Sequence, residues 1–162
     1  NYEELIYEGY APGGVAVVVE AMTDNRNRTA GDIRHYFDKC GGNLGQSGSV
    51  MFMFERKGII EIEAEGHIED EVMEAALAGA EDFNFDGDVF EISTAPNDLG
   101  TVRDYLEEKG YSFLSAEVQY VPQTTTVLED TESAEKMEKL IDMLEENDDV
   151  QNIWHNWEMP EE

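Results

Sequence analysis

Residues 59–121, IIEIEAEGHIEDEVMEAALAGAEDFNFDGDVFEISTAPNDLGTVRDYLEEKGYSFLSAEVQYV, decide the fold. Ile59 to Ala64 reads as a strand, because apolar and acidic side chains largely alternate with the two-residue period of a half-buried sheet. From about Glu69 to Ala80 the period changes, and Val72, Met73, Ala76, Leu77 and Ala80 recur on one side of a helix. Two short strands follow, around Asp82 to Phe85 and Asp88 to Thr94, joined at Asp86-Gly87, a dipeptide suited to a tight hairpin turn. Asn97 or Asp98 caps a second helix that carries Leu99, Val102 and Leu106 and is closed by Gly110. Ser115 to Val121 alternates again. The order βαββαβ is the ferredoxin-like arrangement.

Working outward, Leu5 to Tyr10 reads as a short strand, Pro12-Gly13-Gly14 as a turn, and Val15 to Met22 as a buried strand rich in β-branched residues. Thr29 with Asp32 predicts a capping box at a helix start. Ile33, Tyr36, Phe37 and Cys40 then repeat at helical spacing until Gly41-Gly42, which leaves Arg34, His35 and Lys39 toward solvent. A polar glycine loop, Asn43 to Ser49, leads into a predicted strand from Val50 to Arg56. Beyond Pro122 the pattern predicts a strand from Thr124 to Glu129, a helix bearing Met137, Leu140, Ile141 and Leu144, and a closing strand from Val150 to Trp157. Residues 1–58 and 124–162 each lack enough strands to cover their helices, but together they make a second sheet with two helices on it. The expected class is α+β: two ferredoxin-like βαββαβ-type domains, one at 59–123 inserted into a discontinuous domain of 1–58 plus 124–162.

The 162 residues carry a formal charge of −28, which sets the whole surface against a polyanion. Its distribution is uneven. Between positions 26 and 57 lie Arg26, Arg28, Arg34, Lys39, Arg56 and Lys57 against Asp32, Asp38 and Glu55, a local excess of three positive charges. Salt screens charge beyond roughly 8 Å under cellular conditions, so such a patch can meet phosphate while distant acids are largely unfelt. Solvated arginines on an ordinary helix face are the competing reading. Val15 to Val19 is the longest apolar run, far short of the ~20 residues that cross a bilayer. The single cysteine, Cys40, forms no internal bridge, and no secretory pattern opens the chain, so the expectation is a reducing, cytoplasmic setting. The chain starts at Asn1 without an initiator methionine, which suggests a truncated form.

Several segments invite chemical readings. Asp82 to Gly87 fits the first half of a calcium loop, but the place of the bidentate glutamate falls on Ser93, and an acidic hairpin turn explains the same residues. Gly41 to Gly48 is glycine-rich without the Gly-Lys-Ser/Thr of a P-loop, so a helix stop and crossover is expected, with backbone amides still able to meet a phosphate. His35, His67 and His155 lie far apart without metal-ligand spacing, and Cys40 sits on the apolar helix face. No enzyme signature, cofactor, metal or small-molecule substrate is therefore expected. Asp24 to Thr29 stands out, because two arginines at a helix start can fork onto phosphates beside free amides, with a turn and N-cap as the alternative.

The run YEGYAPGGVAVVVEAMTDNRNRTAGDIRHYFDKCGGNLGQSGSVMFMFERKG, residues 7–58, closely resembles the signature of the YebC family, which includes the mitochondrial translational activator of cytochrome oxidase subunit one. AGAED at 78–82, YVPQTTTVLED at 120–130 and NDDVQNIWHNW at 147–157 are similar to the same family's later segments. The resemblance implies a three-domain fold of which this chain holds the second and third, with the family's basic, helical N-terminal domain missing. It also implies a non-enzymatic regulator of gene expression, either a DNA-binding transcriptional regulator or a ribosome-associated translation factor. On that implication Arg26, Arg28, Arg34 and Lys39 contact DNA or ribosomal RNA phosphates, with Arg56 and Lys57 nearby and with His35 and Asn43 adding hydrogen bonds. The alternative is an acidic module that recruits a basic protein partner, while the missing domain makes all contacts to nucleic acid. Neither reading involves a membrane.

Overall fold

In the computed structural model, which describes residues 1–160, strand β1 (Glu3–Tyr10) and strand β2 (Ala16–Thr23) form an antiparallel hairpin in which Tyr7 faces Val19 and Tyr10 faces Ala16. The turn needs its glycines: Gly13 and Gly14 sit at φ 75° and 84°, and a Cβ on Gly13 would run into Leu128. Helix α1 follows (Arg26–Lys39), then the two-residue strand β3 (Asn43–Leu44), which pairs with β1. Strand β4 (Phe54–Glu63), helix α2 (Glu69–Leu77), strands β5 (Asp82–Phe85) and β6 (Val89–Thr94), helix α3 (Leu99–Glu108) and strand β7 (Ser115–Pro122) come next. Helix α4 (Thr131–Glu146) and strand β8 (Val150–His155) complete the order. By contacts the chain separates into two units, Asn1–Glu55 with the segment from Pro122 onward, and Arg56–Val121.

The first unit has the sheet order β3-β1-β2-β8. Val15, Val17 and Val19 meet Ile33 and Phe37 of α1 and Met137, Leu140 and Leu144 of α4 in one core, so both helices cover the same face. The second unit has the order β5-β6-β4-β7, which with its βαββαβ connectivity is the ferredoxin-like arrangement strand for strand. Its core joins Ile60 and Ile62 of β4, Phe90 and Ile92 of β6, Val72 and Ala76 of α2, and Val102 and Leu106 of α3. The first unit shares the layers, two helices on a four-stranded sheet, but runs β-β-α-β and then α-β along the chain.

Four local expectations change in the folded chain. Helix α1 starts at Arg26, not at a Thr29 cap: Asn25 is the N-cap, its side-chain oxygen accepting the Arg28 amide at 3.1 Å. Thr29 lies buried in the first turn, where its hydroxyl donates to Asp149 at 2.9 Å, a partner that the local sequence could not supply. The predicted strand from Val50 to Arg56 becomes a 3-10 turn at Met51–Met53 followed by β4, because the Val50 and Met51 amides are held by a side chain rather than by a neighbouring strand. Thr124 to Glu129 is reduced to a single bridge between Thr126 and Trp157. In α2 the buried stripe is Val72, Ala75 and Ala76, which leaves Met73 and Leu77 exposed.

One helix position is suboptimal for stability. Gly31 lies exposed in the interior of α1, and a Cβ there would meet no atom within 4 Å. Gly31→Ala is expected to stabilise the first unit by about 1 kcal/mol, the usual helix-interior difference between these residues. A thermal denaturation series checks this, and an unchanged or lower midpoint would contradict it.

Candidate nucleic-acid interface

The first turn of α1 presents the two arginines that the sequence singles out, and the fold gives both carboxylate partners. Arg26 forks onto Glu3 of β1, with Nη2 to Oε2 at 3.1 Å and Nε to Oε1 at 3.4 Å. Arg28 reaches Asp24 at 3.2 Å and Asp149, in the turn between α4 and β8, at 3.0 Å. These hydrogen bonds raise the pKa of both guanidinium groups, from Glu3 for Arg26 and chiefly from Asp149 for Arg28. An incoming phosphate therefore competes with an internal acid for the charge of either arginine.

Asp149 is the most buried of these acids, its side chain only 16% exposed. Burial opposes its ionisation, but donation from Thr29, Arg28 and Thr23 outweighs that cost and holds its pKa below the ordinary 3.8. A depressed carboxyl pKa stabilises the fold above the ordinary value, and that stabilisation is lost as pH falls through the native value. The first unit is thus expected to weaken on acidification below pH 3.8, whereas Asp149→Asn is less stable at neutrality and shows a shallower acid loss. Melting midpoints measured from pH 7 to pH 2 test both parts; parallel curves for the two proteins would exclude the linkage.

Further along α1 the cations are unpaired. Arg34 and Lys39 are exposed and form no ion pair among the described residues, and His35 is exposed beside them. His35 and Lys39, four residues apart, share one side of the helix. The fold adds two cations that the sequence reading missed. Lys136 and Lys139 of α4 lie, with Lys39, close enough for all three charges to act on the Cys40 thiol, although burial dominates and pushes that thiol up. The Lys136 stem passes 4.0 Å from the place that a Cβ would occupy on Gly41. Lys136 pairs with Glu132 at 3.1 Å, and Lys139 has no ion pair among the described residues. The only available signal was that these are the sole Lys or Arg after position 121.

The other predicted residues lie on other elements. Asn43 lies exposed on β3 with its backbone paired to Tyr10. Arg56 and Lys57 lie on β4 within the second unit; Arg56 is exposed, while Lys57 is half-buried and already engaged within the chain. The glycine loop does hold an anion, but that anion is internal. The Glu8 carboxylate accepts the amides of Gly48 at 2.6 Å, Val50 at 3.0 Å and Met51 at 2.7 Å, which occupies the donors that a phosphate would use. In the half calcium loop Asp86 accepts the Asp88 and Val89 amides, both at 2.8 Å, as a turn-forming aspartate does.

The second unit offers phosphate nothing comparable. A cleft of about 760 Å³ is rimmed by Glu63, Glu65, Glu69 and Asp88 over Phe85 and Leu114. Across β4 and β6, Glu61 stands opposite Glu91. Burial, and then the Glu61 charge, raise the Glu91 pKa. Among the described residues no group of three or more His, Cys, Asp or Glu is arranged to hold a metal ion, and no helix is long and apolar enough to cross a membrane.

Comparison with known proteins agrees with this architecture. A crystal structure of a conserved hypothetical protein from Aquifex aeolicus superposes with a TM-score of 0.90 at 50% identity, over 99% of this chain and 67% of that one. A protein of Acetivibrio thermocellus named "Probable transcriptional regulatory protein" is 61% identical over 159 residues, covering 97% of this chain and 66% of its own length. A similarly named protein of Clostridioides difficile is 58% identical over 161 residues, 98% of this chain and 67% of its own. The chain thus spans about two thirds of the length of these relatives. The family model described as "TACO1/YebC second and third domain" matches residues 2–157, and the chain belongs to that family.

Proposed function

We propose that this chain is a non-enzymatic, cytoplasmic regulator of gene expression, acting on transcription or on the translating ribosome, that holds the phosphate backbone of DNA or ribosomal RNA against helices α1 and α4 of its first unit. The observation that carries this reading is that Lys39 and Lys139 both lie near the Cys40 thiol, exposed and without carboxylate partners among the described residues, with Arg34 also exposed and unpaired earlier on α1, in a molecule of charge −28. Lys136 and His35 extend the surface, and Arg26 and Arg28 join it if phosphate replaces their acids. Contacts of this kind give affinity and position without reading bases. Membership of the family, with relatives named as transcriptional regulators, supports the same reading.

The test is salt-dependent binding of the chain to duplex DNA, ribosomal RNA and ribosomes, with Arg34, Lys39 and Lys139 all changed to Glu. Each lost phosphate contact lowers the slope of log affinity against log salt by about 0.7–0.9, so the triple change should reduce it by roughly 2–3. An unchanged slope would remove this interface. One observation favours a second reading: Glu61 faces Glu91, and the acid-rimmed cleft is lined by no lysine or arginine, so the second unit suits a basic protein segment. Binding of a Lys/Arg-rich peptide, abolished by changing Glu63, Glu65 and Glu69 to Gln, would support it.

A further inference from the structure

Between Lys39 and Glu55 lie fifteen residues without a formal charge, the longest such run in a strongly anionic chain. Within it the segment from Gly45 to Phe54 is tied down at many points. Glu8, only 4% exposed, receives the three amides named above, and its own carbonyl accepts the Gly45 amide at 2.8 Å. The Ser49 amide donates to Gln46 at 3.0 Å, and the Met53 amide to Val50 at 2.9 Å. Val50 and Phe54 are buried on either side of the turn. At the middle of that turn Phe52 is 70% exposed. Residues alternate faces along β1, and Tyr7 packs into the core beneath the helices, so Glu8 and the loop it holds belong to the opposite face of the sheet from α1 and α4.

A phenylalanine held in water on a braced turn has no partner of its own: no ring contact of Phe52 occurs among the described residues. A protein interface would surround such a ring with further apolar surface. Here the chain leading to the ring is Gln46, Ser47, Gly48 and Ser49, small or polar, and its immediate neighbours Met51 and Met53 are half-buried. A nucleobase needs only the face of the ring, and every base can stack on it. The absence of carboxylate along the run also lets a polyanion approach, and the Glu8 charge is enclosed by amide dipoles. We propose that Phe52 is a stacking platform for an unpaired nucleobase of single-stranded or looped nucleic acid, at a site separate from the helix cations. The inference rests on the nucleic-acid reading above for its class of partner, but not on its surface.

The experiment measures binding of this chain to a 12-residue oligouridylate, the matching oligothymidylate and a duplex of equal length, for the parent, Phe52→Ala and Phe52→Trp. Phe52→Ala should weaken single-strand binding roughly 5- to 150-fold, the range for loss of one stacked base, with the salt slope and melting midpoint unchanged. Phe52→Trp should retain affinity, and its added emission should be quenched by the single strands and not by the duplex. The two single strands separate RNA from DNA as the source of the base. If Phe52→Ala binds as the parent does, or the new tryptophan is not quenched while binding persists, the platform is refuted and the helix interface stands. If the helix charge reversals change nothing while Phe52→Ala weakens binding, the helix interface falls and the platform stands. No binding of any strand at low salt refutes both.

Discussion

Replacing Glu8 by alanine is expected to lower the stability of the first unit by about 3–5 kcal/mol, since three hydrogen bonds to a charged group, about 1.5–3 kcal/mol each, are lost together and opening of the loop limits the loss. The carboxylate is almost wholly buried and accepts the amides of Gly48, Val50 and Met51, residues 40 to 43 positions away in sequence. Alanine leaves three donors without an acceptor, and each buried donor so stranded costs about 1–3 kcal/mol unless the loop opens to water. Opening is the cheaper response. The loss should therefore appear both as a lower urea midpoint and as fast hydrogen exchange at those three amides. Glu8→Gln is not a mild change, since its amide group offers one acceptor oxygen and turns an N–H toward other donors. Retained exchange protection in Glu8→Ala would show that something other than this carboxylate shapes the loop. Because Phe52 sits directly after the clamped amides, the same substitution should weaken stacking at the ring without touching it.

Phe37→Ala should cost about 3–5 kcal/mol, as deletion of a fully buried aromatic ring does. The ring is inaccessible to solvent and lies against two glycines that exist to admit it and its surroundings. A Cβ on Gly9 would come 3.0 Å from the Phe37 Cε2 and 2.7 Å from the Asn43 carbonyl oxygen, and one on Gly42 would come 3.4 Å from Cδ2. Backbone packed this closely around a ring cannot collapse into the space left behind, so the cavity term adds to the lost transfer energy. Ile33→Val, one turn earlier on the same face, removes a single methylene and should cost only about 0.5–1.5 kcal/mol. Urea unfolding of both variants tests the ranking, and equal losses would mean that the core relaxes around Phe37. Since Arg34, His35 and Lys39 ride on the outer side of this helix, Phe37→Ala should also blunt the salt slope of nucleic-acid binding.

Elements of both units are legible in the sequence because their signals are local. Asp86-Gly87 marks the β5–β6 turn, Leu99, Val102 and Leu106 mark the inner face of α3, and Gly41-Gly42 marks the end of α1, each within a few residues of the feature it specifies. The errors fall where a distant residue intervenes. Thr29 looked like a cap and is instead a buried donor to Asp149, and Val50 looked like strand until its amide was taken by Glu8. Met73 and Leu77 looked buried because α2 offers apolar side chains on more than one side, and only contact with the sheet selects Val72, Ala75 and Ala76.

What the sequence alone determined is the α+β class and the faces of most helices, since hydrophobic period and turn chemistry act over one or two turns of chain. It also located the positive excess between residues 26 and 57. Which of those charges remain free depends on how distant segments come together. Arg28 is matched by an acid 121 residues away and Arg26 by one 23 residues away, whereas Lys39 gains Lys136 and Lys139 as neighbours from a helix nearly a hundred residues later. Coulomb energy depends on distance in space, and chain reversal sets that distance without regard to spacing in sequence.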